Sequence, residues 1–573
     1  MSDDPVVVGI NRTQDASIAV LRGRSGMYSL QKERLTRRKH HWGRRGDVRD
    51  RYVPALPALR DPVDLVVECY SSDAEVEHLP DYRDELARTV PFRDGVRVVT
   101  VSHHLAHLYS AFHPSPFERA AVMVVDAQGS RVKDVTEPFP SADAGPELLE
   151  VASFYTCEPG QGAGQPGRGA GQPARVECVG KHLWHGDWAE PAGLGCFYYL
   201  LTRTVFPGGE GNEGKVMGLA PYGRPDALDL PELPVDEYRV TIPDAWLDVF
   251  AQADRFRYVP DDAGCFDDCA DLAAAGQRAF ETALLRVAGW LCAQTGARDL
   301  CFAGGTALNC SANGRLLREG GFDNVFIPPS PHDGGTALGC AMYGMVECLG
   351  APSDFRWTND FLGPDPDGRA VAEAVRGICD DLIVDRPPDL VERIVDLLDS
   401  GRVVGLHHGR SESGPRALGN RSIIADARHV GMRDFINSRV KGREWFRPLA
   451  PIVLAEAAGA IFDVDRPAPF MQYAADVRAH YRPVLPAITH VDGTARLQTV
   501  EPANTPFLHA LLSAFAARTG CPVLLNTSLN GPGDPLVETP QDALACLRKT
   551  DLHALAMPPY LIRKRVEPPV PVR

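Results

Sequence analysis

Two histidines four residues apart, His103 and His107, have the types and spacing that most directly suggest chemistry in this chain. On a helix, this spacing places both imidazoles on one face, where they can bind a single metal ion. The spacing alone fits two polar helix residues without a ligand equally well.

Two aspartates favour the metal site. Asp126 ends the apolar run 120–125, which predicts a buried strand whose last carboxylate lies at the carboxyl edge of a sheet. Asp333 begins a Gly-Gly-Thr turn that leads into a predicted helix. Mixed nitrogen and oxygen ligands suit iron, zinc or manganese better than calcium. We therefore expect His103, His107, Asp126 and Asp333 to form a catalytic divalent-metal site.

Composition limits the classes of protein to consider. A length of 573 residues predicts several structural units, and 44% hydrophobic with 24% charged residues is typical of a globular protein. We see no membrane-spanning run and no signal-peptide pattern, so we expect a cytoplasmic protein without a membrane partner. The net charge of −15 argues against a nucleic-acid partner. The 14 cysteines form no Cys-x-x-Cys pair and are interpreted as reduced, mostly buried thiols. Oligomeric state stays open.

Several elements are predicted to position these residues. Residues 6–21 read as a β-hairpin that presents a polar turn to a ligand. Further strands are expected at 64–69, 96–101 and 120–126, and a helix at 272–292, preceded by an acidic loop that contains Cys265 and Cys269. Residues 160–174 repeat Gly-Ala-Gly-Gln-Pro twice, which predicts a mobile loop without chemistry.

A break rich in proline and glycine at 350–368 predicts the domain boundary. We assign a first domain to 1–355, a linker region to 356–384 and a second domain to 385–573. A helix at 389–400 and a strand at 402–406 begin the second domain, which we expect to be an α/β unit.

Two glycine-rich segments of the first domain suggest a nucleotide. Gly304 and Gly305 follow a predicted strand and precede a helix that begins near Asn309, so backbone amides there can approach a phosphate. Tight packing of the turn explains the glycines equally well. A second segment, 208–220, adds Lys215 beside what we expect to be flexible backbone. Two such segments and a metal together favour a nucleotide site.

The second domain carries a group of mostly cationic residues among prolines and aromatic residues. Guanidinium groups bind phosphate bidentately, so the group predicts a site for a small phosphate compound, whereas surface ion pairs are the alternative. The candidates are Arg416, Lys441, Arg447, Arg496 and Asn526.

These segments, in this order, resemble the O-carbamoyltransferases of antibiotic and nodulation-factor biosynthesis, the nebramycin synthase-like family, over nearly the whole chain. The motifs that carry the resemblance are Gln14-Asp-Ala-Ser, the run Glu33-Arg-Leu-Thr-Arg-Arg-Lys-His, His103-His-Leu-Ala-His, Val125-Asp, Gly214-Lys-Val-Met-Gly-Leu-Ala, Ala303-Gly-Gly, Asp333, Gly414-Pro-Arg-Ala-Leu-Gly, Arg443-Glu-Trp-Phe-Arg-Pro, Gln498-Thr-Val and Asn526-Thr-Ser.

The resemblance implies an α/β chain in which an N-terminal actin-like (ASKHA) two-lobed ATPase domain is joined to a C-terminal YrdC-like domain. It implies that the five cationic and amide candidates bind carbamoyl phosphate, and that the four metal ligands bind iron. Carbamate would pass internally to the first domain, where ATP and Mg²⁺ convert it to carbamoyl-adenylate. A hydroxyl of a small natural product would then attack the carbamoyl carbon.

One position departs from the family pattern. Relatives usually read His-Asp-Ala-Ser in the first hairpin, but this chain has Gln14, which cannot act as a general base. Either metal-assisted ionisation of the acceptor suffices, or another residue takes the proton. Asp15 is a candidate for that role, and a local turn cap is the alternative.

Three other functions compete with an ATP-dependent O-carbamoyltransferase. A tRNA threonylcarbamoylation enzyme is disfavoured by the negative charge, and hydrogenase maturation by the lack of Cys-x-x-Cys pairs and of an acylphosphatase domain. An inactive nucleotide-binding or scaffold protein would explain Gln14, but the intact metal ligands argue against it.

Overall fold

The computed structural model describes residues 4–71, 79–140, 144–159, 174–208, 211–260, 263–366, 368–378 and 380–571. The chain forms two compact units: Met1–Thr36 with His40–Trp357, and Arg37–Lys39 with Thr358–Arg573. Among the described residues, no helix is both long and apolar enough to span a bilayer. The 13 described cysteines are free thiols, nine of them buried, as predicted.

The first unit is built on twelve strands within the residues that the structure describes. They are β1 (Val6–Asn11), β2 (Ser17–Arg22), β3 (Gly26–Gln31), β4 (Leu65–Tyr70), β5 (Val98–Ser102), β6 (Ala120–Val125), β7 (Leu149–Glu158), β8 (Arg175–Trp184), β9 (Val235–Asp236), β10 (Arg239–Val240), β11 (Asp299–Ala303) and β12 (Asn324–Phe326).

Ten of these strands form two five-stranded sheets of the same design, and β9 and β10 pair in a separate two-stranded sheet. The orders are β3-β2-β1-β4-β5 and β8-β7-β6-β11-β12. In the first sheet β3, β2 and β1 are antiparallel neighbours, and β4 and β5 run parallel to β1. In the second sheet β8, β7 and β6 are antiparallel neighbours, and β11 and β12 run parallel to β6. Such a duplicated arrangement is the hallmark of actin-like ATPases, and the predicted two-lobed actin-like fold is confirmed.

Helices cover the sheets of this unit. They are α1 (Lys32–Thr36), α2 (Val53–Ala55), α3 (Leu79–Thr89), α4 (His103–Ala111), α5 (Gly193–Val205), α6 (Glu213–Leu219), α7 (Asp244–Phe250), α8 (Ala253–Phe256), α9 (Ala263–Thr295), α10 (Cys310–Glu319) and α11 (Thr336–Tyr343).

The predicted hairpin and the three predicted strands are confirmed, but the prediction of an acidic loop around Cys265 and Cys269 is wrong. The helix begins at Ala263, so Cys265 and Cys269 lie within α9. Cys269 is buried, and the carboxylates of Asp268 and Asp271 pair with arginines outside the helix. These contacts stabilise helix where composition favours a loop. Residues 160–173 of the predicted mobile loop lie outside the described part of the chain.

The second unit is an α/β domain, as predicted. Its strands are β13 (Leu382–Asp385), β14 (Val404–His407), β15 (Arg421–Asp426), β16 (Ala450–Leu454), β17 (Ala474–Asp476), β18 (Thr494–Arg496), β19 (Gln498–Val500), β20 (Val523–Ser528), β21 (Ala554–Met557) and β22 (Tyr560–Lys564). Its helices are α12 (Gly368–Arg376), α13 (Leu390–Asp399), α14 (Met432–Phe435), α15 (Ala455–Ile461), α16 (Pro506–Thr519) and α17 (Pro540–Lys549).

Eight of these strands form one mixed sheet with the order β13-β22-β21-β14-β15-β20-β16-β19. The predicted helix and strand that begin the second domain correspond to α13 and β14. The segment expected as a linker, 356–384, contains α12 and most of β13, an edge strand of this sheet. Its YrdC-like character stays a prediction.

Candidate active site

The four predicted metal ligands, His103, His107, Asp126 and Asp333, lie together in the first unit, with one ligand atom of each within 4.8 Å of the others. The two histidine Nε2 atoms are 3.2 Å apart. His107 Nε2 lies 3.3 Å from an Asp126 oxygen, and His103 Nε2 lies 3.3 Å from an Asp333 oxygen. Donor atoms bound to one ion at about 2.1 Å are separated by roughly 3.0 to 3.4 Å, so this geometry fits a bound metal.

Burial and charge at this cluster also favour a cation. Burial lowers the pKa of His103, but the Asp333 and Asp126 carboxylates outweigh it and raise this pKa well above its usual value. Burial raises the pKa of Asp126, but hydrogen bonds with His103 and His107 bring it well below its usual range. Ionised carboxylates inside a protein require a positive partner, and a metal ion held by neutral imidazoles would provide one.

Local structure explains why the ligands meet. Helix α4 begins at His103, directly after β5, and the His103 N–H donates to Ser130 Oγ at 2.9 Å. Helix α11 follows Asp333 and packs against α4 at Gly339, where an added Cβ would lie 1.8 Å from the Ala106 carbonyl oxygen. A helix approach this close requires glycine, and it keeps Asp333 beside the histidines.

The glycine turn after β11 positions a metal ligand. Gly305 N–H donates to the Asp126 carboxylate at 3.2 Å. Gly304 has a φ of 95°, and a Cβ there would lie 2.2 Å from the Val125 carbonyl oxygen. The structure thus supports tight packing, one of the two explanations of these glycines. Their contact with a nucleotide phosphate stays a prediction.

Asn309 serves a structural role in the ligand-free protein. Its Oδ1 accepts from Ala312 N–H at 3.1 Å and caps α10, whereas its Nδ2 donates to Gln277 Oε1 at 3.1 Å. Binding of a nucleotide by Asn309 therefore stays a prediction.

The flexible backbone expected around Lys215 is wrong for residues 213–219, which form α6. Val216 and Leu219 are buried, and this packing offsets the cost of two glycines in the helix. The Lys215 ammonium lies 5.5 Å from the ring centroid of Phe206. Residues 209 and 210 of the segment lie outside the described part of the chain.

The turn of the first hairpin lies beside the four predicted metal ligands. Asn11 Nδ2 donates to the backbone oxygens of Gln14, Asp15 and Asp333 at 3.0, 3.3 and 3.0 Å. Asp15 has a φ of 52°, and its carboxylate lies 2.9 Å from His40 Nδ1. The partner of Asp15 is thus His40, which sequence reasoning missed because 25 residues separate the two.

A buried ion cluster supports the start of α4. The Lys181 ammonium bonds to Glu137 and Glu150, and its side chain is fully buried. A second oxygen of Glu150 accepts from Ser130 N–H at 3.1 Å, and Ser130 in turn accepts from His103. This connected network fixes the backbone of the first metal ligand.

Replacing Lys181 with Met should destabilise the protein, because it leaves Glu137 and Glu150 buried without their cation. We expect the free energy of unfolding to fall by about 3 to 5 kcal/mol, measured by urea denaturation with tryptophan fluorescence. The control is Lys133→Met, since Lys133 pairs with Glu147 at the surface, and it should change stability by less than about 0.5 kcal/mol. Equal effects of the two variants would contradict a structural role for the buried cluster.

Three guanidinium groups cluster in the second unit. Burial and the charges of Arg447 and Arg496 lower the pKa of Arg443 to about 9, although Glu444 acts in the opposite direction. Burial and Arg496 likewise lower the pKa of Arg447. Arg443 Nη2 and Arg496 Nε are buried without a hydrogen-bond partner in the part of the chain that the structure describes. Cations that repel one another in a buried place indicate an anion site.

Hydrogen bonds connect this cluster to the Gly414–Gly419 loop, which carries Arg416. Asn526 Nδ2 donates to the Ala417 carbonyl at 3.0 Å and to Gln498 Oε1 at 3.2 Å. Gln498 Nε2 donates to the Leu418 carbonyl at 2.8 Å. Since Gln498 is two residues from Arg496, these bonds bring the predicted residues Arg416, Arg496 and Asn526 into one region.

Lys441 differs from the arginines because its ammonium has several hydrogen-bond acceptors within the protein. Its ammonium donates to the Ser528 carbonyl at 2.8 Å, to Ser528 Oγ at 3.0 Å and to the Asn530 carbonyl at 3.1 Å. Burial, followed by the charge of Arg443, lowers its pKa well below the usual value. Lys441 therefore holds the strand end after Asn526, and a direct contact with substrate stays a prediction.

Arg443 is the residue that sequence reasoning missed in this site. It stands four residues before Arg447 in a segment already recognised as a motif. Its Nε donates to Asn437 Oδ1 at 2.8 Å, which fixes the guanidinium within the cluster. The signal available in the sequence was the dense run of cations at 441–447.

Comparisons with known proteins identify the family of the chain. Family models described as Carbamoyltransferase N-terminus and Carbamoyltransferase C-terminus match residues 85–342 and 395–564. Nodulation protein NolO of Bradyrhizobium diazoefficiens is 35% identical over 480 residues, which cover 81% of this chain and 79% of that protein. An uncharacterized Synechocystis protein is 34% identical over 512 residues, covering 81% and 76%. The 3'-hydroxymethylcephem-O-carbamoyltransferase of Streptomyces clavuligerus is 35% identical over 367 residues, covering 60% and 64%.

Solved structures are more distant. HypF from T. kodakarensis aligns with 60% of this chain and 48% of its own, at 14% identity and a TM-score of 0.38. A ROK family glucokinase from Streptomyces griseus aligns with 59% and 98%, at 10% identity and a TM-score of 0.26. Values this low carry no conclusion, whereas the family models and the sequence relatives do. The chain belongs to the carbamoyltransferase family and is a carbamoyltransferase.

Proposed function

We propose that this chain is an ATP-dependent O-carbamoyltransferase that takes its carbamoyl group from carbamoyl phosphate and transfers it to a hydroxyl of a small natural product. The observation that carries the proposal is the presence of two different sites in one carbamoyltransferase: a buried arginine cluster suited to a phosphate and a histidine–carboxylate cluster suited to a metal.

The arginine cluster would bind the phosphate group of carbamoyl phosphate. Arg443, Arg447 and Arg496 present several N–H groups to one place, and each charge-assisted hydrogen bond contributes roughly 1.5 to 3 kcal/mol. A bound dianion would also remove the repulsion that now lowers the pKa of Arg443 and Arg447. Arg416 and Asn526, which hydrogen bonds hold in the same region, would orient the carbamoyl end.

The histidine–carboxylate cluster would hold one divalent metal through His103, His107, Asp126 and Asp333, and we expect iron. When bound, the metal supplies Lewis-acid stabilisation of negative charge that develops on oxygen. Gly305 N–H and Asn11 Nδ2 keep two of the ligands in place by bonding to Asp126 and to the Asp333 backbone. The relatives' printed names support transfer to oxygen, because one of them is an O-carbamoyltransferase.

The proposed reaction proceeds in three steps. Water attacks carbamoyl phosphate, the bond to its phosphate group breaks, and carbamate and inorganic phosphate form. A carbamate oxygen then attacks the α-phosphorus of MgATP, which gives carbamoyl-adenylate and releases pyrophosphate. The oxygen of the acceptor then forms a bond to the carbamoyl carbon, AMP leaves, and the hydroxyl proton is transferred to a base. Exclusion of bulk water after the hydrolysis of carbamoyl phosphate protects the short-lived carbamate. We place the reaction in the cytoplasm, where ATP is available.

The test is product detection. Protein loaded anaerobically with Fe²⁺ is incubated with MgATP, carbamoyl phosphate and a panel of hydroxyl compounds that includes a 3'-hydroxymethylcephem and an aminoglycoside. We expect mass spectrometry to show the gain of one carbamoyl group on at least one compound, with pyrophosphate release that requires both ATP and carbamoyl phosphate. Omission of either is the control. Pyrophosphate release that is independent of carbamoyl phosphate would contradict the proposal.

A further inference from the structure

His40 and Asp15 form an acid–base pair beside the four predicted metal ligands. His40 Nδ1 lies 2.9 Å from Asp15 Oδ1, and the Asp15 side chain is 10% exposed whereas that of His40 is 30% exposed. The carboxylate is thus largely shielded from water, while the imidazole is partly exposed. An imidazole that a buried carboxylate orients through one ring nitrogen is the usual arrangement of a histidine base.

The surroundings of the pair place it at the active site. Asp15 Oδ2 lies 4.0 Å from His332 Nε2, and His332 precedes the metal ligand Asp333. Asn11 Nδ2 bonds to the backbone oxygens of both Asp15 and Asp333. A Cβ added to Gly211 would lie 2.2 Å from His40 Nε2, so the glycine at that position leaves room for the imidazole.

The left-handed backbone of Asp15 is a further sign of a functional constraint. A non-glycine residue at a φ of 52° is uncommon and costs of order 1 kcal/mol or more. Here the surrounding contacts compensate for it: Ala16 N–H donates to the His41 carbonyl at 3.2 Å, and Gly43 N–H donates to the Thr13 carbonyl at 3.2 Å. These bonds tie the hairpin turn to the segment that carries His40.

The geometry points to His40, oriented by Asp15, as the general base that takes the proton of the acceptor hydroxyl. This inference rests on the proposed function and names the base that Gln14 leaves unassigned. As the acceptor oxygen forms its bond to the carbon of the activated carbamoyl group, its proton moves to His40 Nε2. The bond from that carbon to the adenylate oxygen breaks, and AMP leaves. His40 ends as an imidazolium whose Nδ1–H faces the Asp15 carboxylate.

The charged groups around His40 set the pH at which it can act. Asp15, Glu33 and Glu213 face the ring, and His332 lies behind Asp15. Burial lowers the pKa of His40, but the hydrogen bond and charge of Asp15, followed by Glu33 and Glu213, raise it to about 9. The fraction of neutral base therefore grows as pH rises towards 9. Carbamoyl transfer should increase over the same range.

The experiment separates proton transfer from carbamoyl activation. Three reactions are measured with wild type and His40→Gln: carbamoyl-phosphate-dependent pyrophosphate release, capture of the carbamoyl group by hydroxylamine, and transfer to the panel alcohol with the highest turnover. Hydroxylamine attacks through a neutral nitrogen that needs no base beforehand. We expect H40Q to lose about a hundredfold or more in transfer to the alcohol. The other two reactions should stay within about twofold of wild type.

Asp15→Asn provides a second readout that a structural role would not change. Without the carboxylate, the pKa of His40 falls, so the rise of alcohol transfer should shift to lower pH. The matched control is His185→Gln, because His185 is an exposed histidine of the same unit that pairs with Glu190.

Three outcomes overturn the role of His40: undiminished alcohol transfer in H40Q, an unshifted pH profile in D15N, or equal loss of all three reactions in H40Q. Failure of the proposed function is distinguishable, because wild type would then release no carbamoyl-phosphate-dependent pyrophosphate.

Discussion

Replacement of His103 with Ala is expected to remove metal binding and to reduce carbamoyl transfer to background. The variant keeps the partly buried carboxylates Asp126 and Asp333 but loses one of two nitrogen donors. We expect metal affinity to fall by more than about a hundredfold, since loss of even an outer partner of a ligand costs 10- to 100-fold. Metal content after dialysis, measured by elemental analysis, and titration with Fe²⁺ or Mn²⁺ test this expectation.

A matched control distinguishes metal binding from general damage to α4. His104 is the next residue on the same helix and is equally buried, but its Nδ1 lies 2.7 Å from Ser153 Oγ instead of facing the cluster. His104→Gln should lower thermal stability yet still bind one equivalent of metal. If H103A retained one equivalent of metal, or H104Q lost it to the same extent, the assigned site would be wrong.

Replacement of Arg447 with Ala is expected to abolish binding of carbamoyl phosphate at millimolar concentration. Two charge-assisted hydrogen bonds lost from one guanidinium correspond to roughly 3 to 6 kcal/mol, a hundredfold or greater loss of affinity. Arg447→Lys should recover only part of it, because an ammonium keeps the charge but not the planar pair of donors. Isothermal titration calorimetry with carbamoyl phosphate and with inorganic phosphate measures both effects.

The same substitution, Arg447→Ala, lowers the affinity for carbamoyl phosphate but should not lower the stability of the protein without ligand. Burial and the charges of Arg447 and Arg496 lower the pKa of Arg443 to about 9, so removal of the Arg447 cation relieves repulsion and raises that pKa. We therefore expect R447A to retain or increase the melting temperature without ligand. Arg466→Ala is the control, because Arg466 pairs with the exposed Asp465 and should change neither property. A large loss of stability together with unchanged phosphate affinity would contradict an anion site.

The four candidate metal ligands were predictable from short segments. The i, i+4 histidines and the carboxylate at the end of an apolar strand follow from the periodicity of helices and strands, which neighbouring residues largely specify. The same holds for the glycine turn after β11, where Gly305 N–H donates to the Asp126 carboxylate.

Contacts between segments that are far apart in the sequence were harder to predict. The predicted acidic loop became the start of α9 because Cys269 packs into the core and Asp271 finds Arg224. Lys441, predicted to bind the phosphate compound, donates to Ser528 and Asn530 almost ninety residues away, contacts that the sequence did not indicate. Arg443 was added to the proposed anion site because the charges of Arg447 and Arg496 lower its pKa, and Arg496 is more than fifty residues away in the sequence.

Local residue patterns were thus sufficient for the family, for the actin-like and α/β character of the two units, and for the choice of four candidate metal ligands that lie together. Three-dimensional packing was required to show that His40 pairs with Asp15, that Lys181 supports α4, and that Gly339 lets α11 approach the histidines. The physical reason is range. Helix and strand periodicity acts over a few residues, whereas burial and charge pairing depend on which segments meet in space.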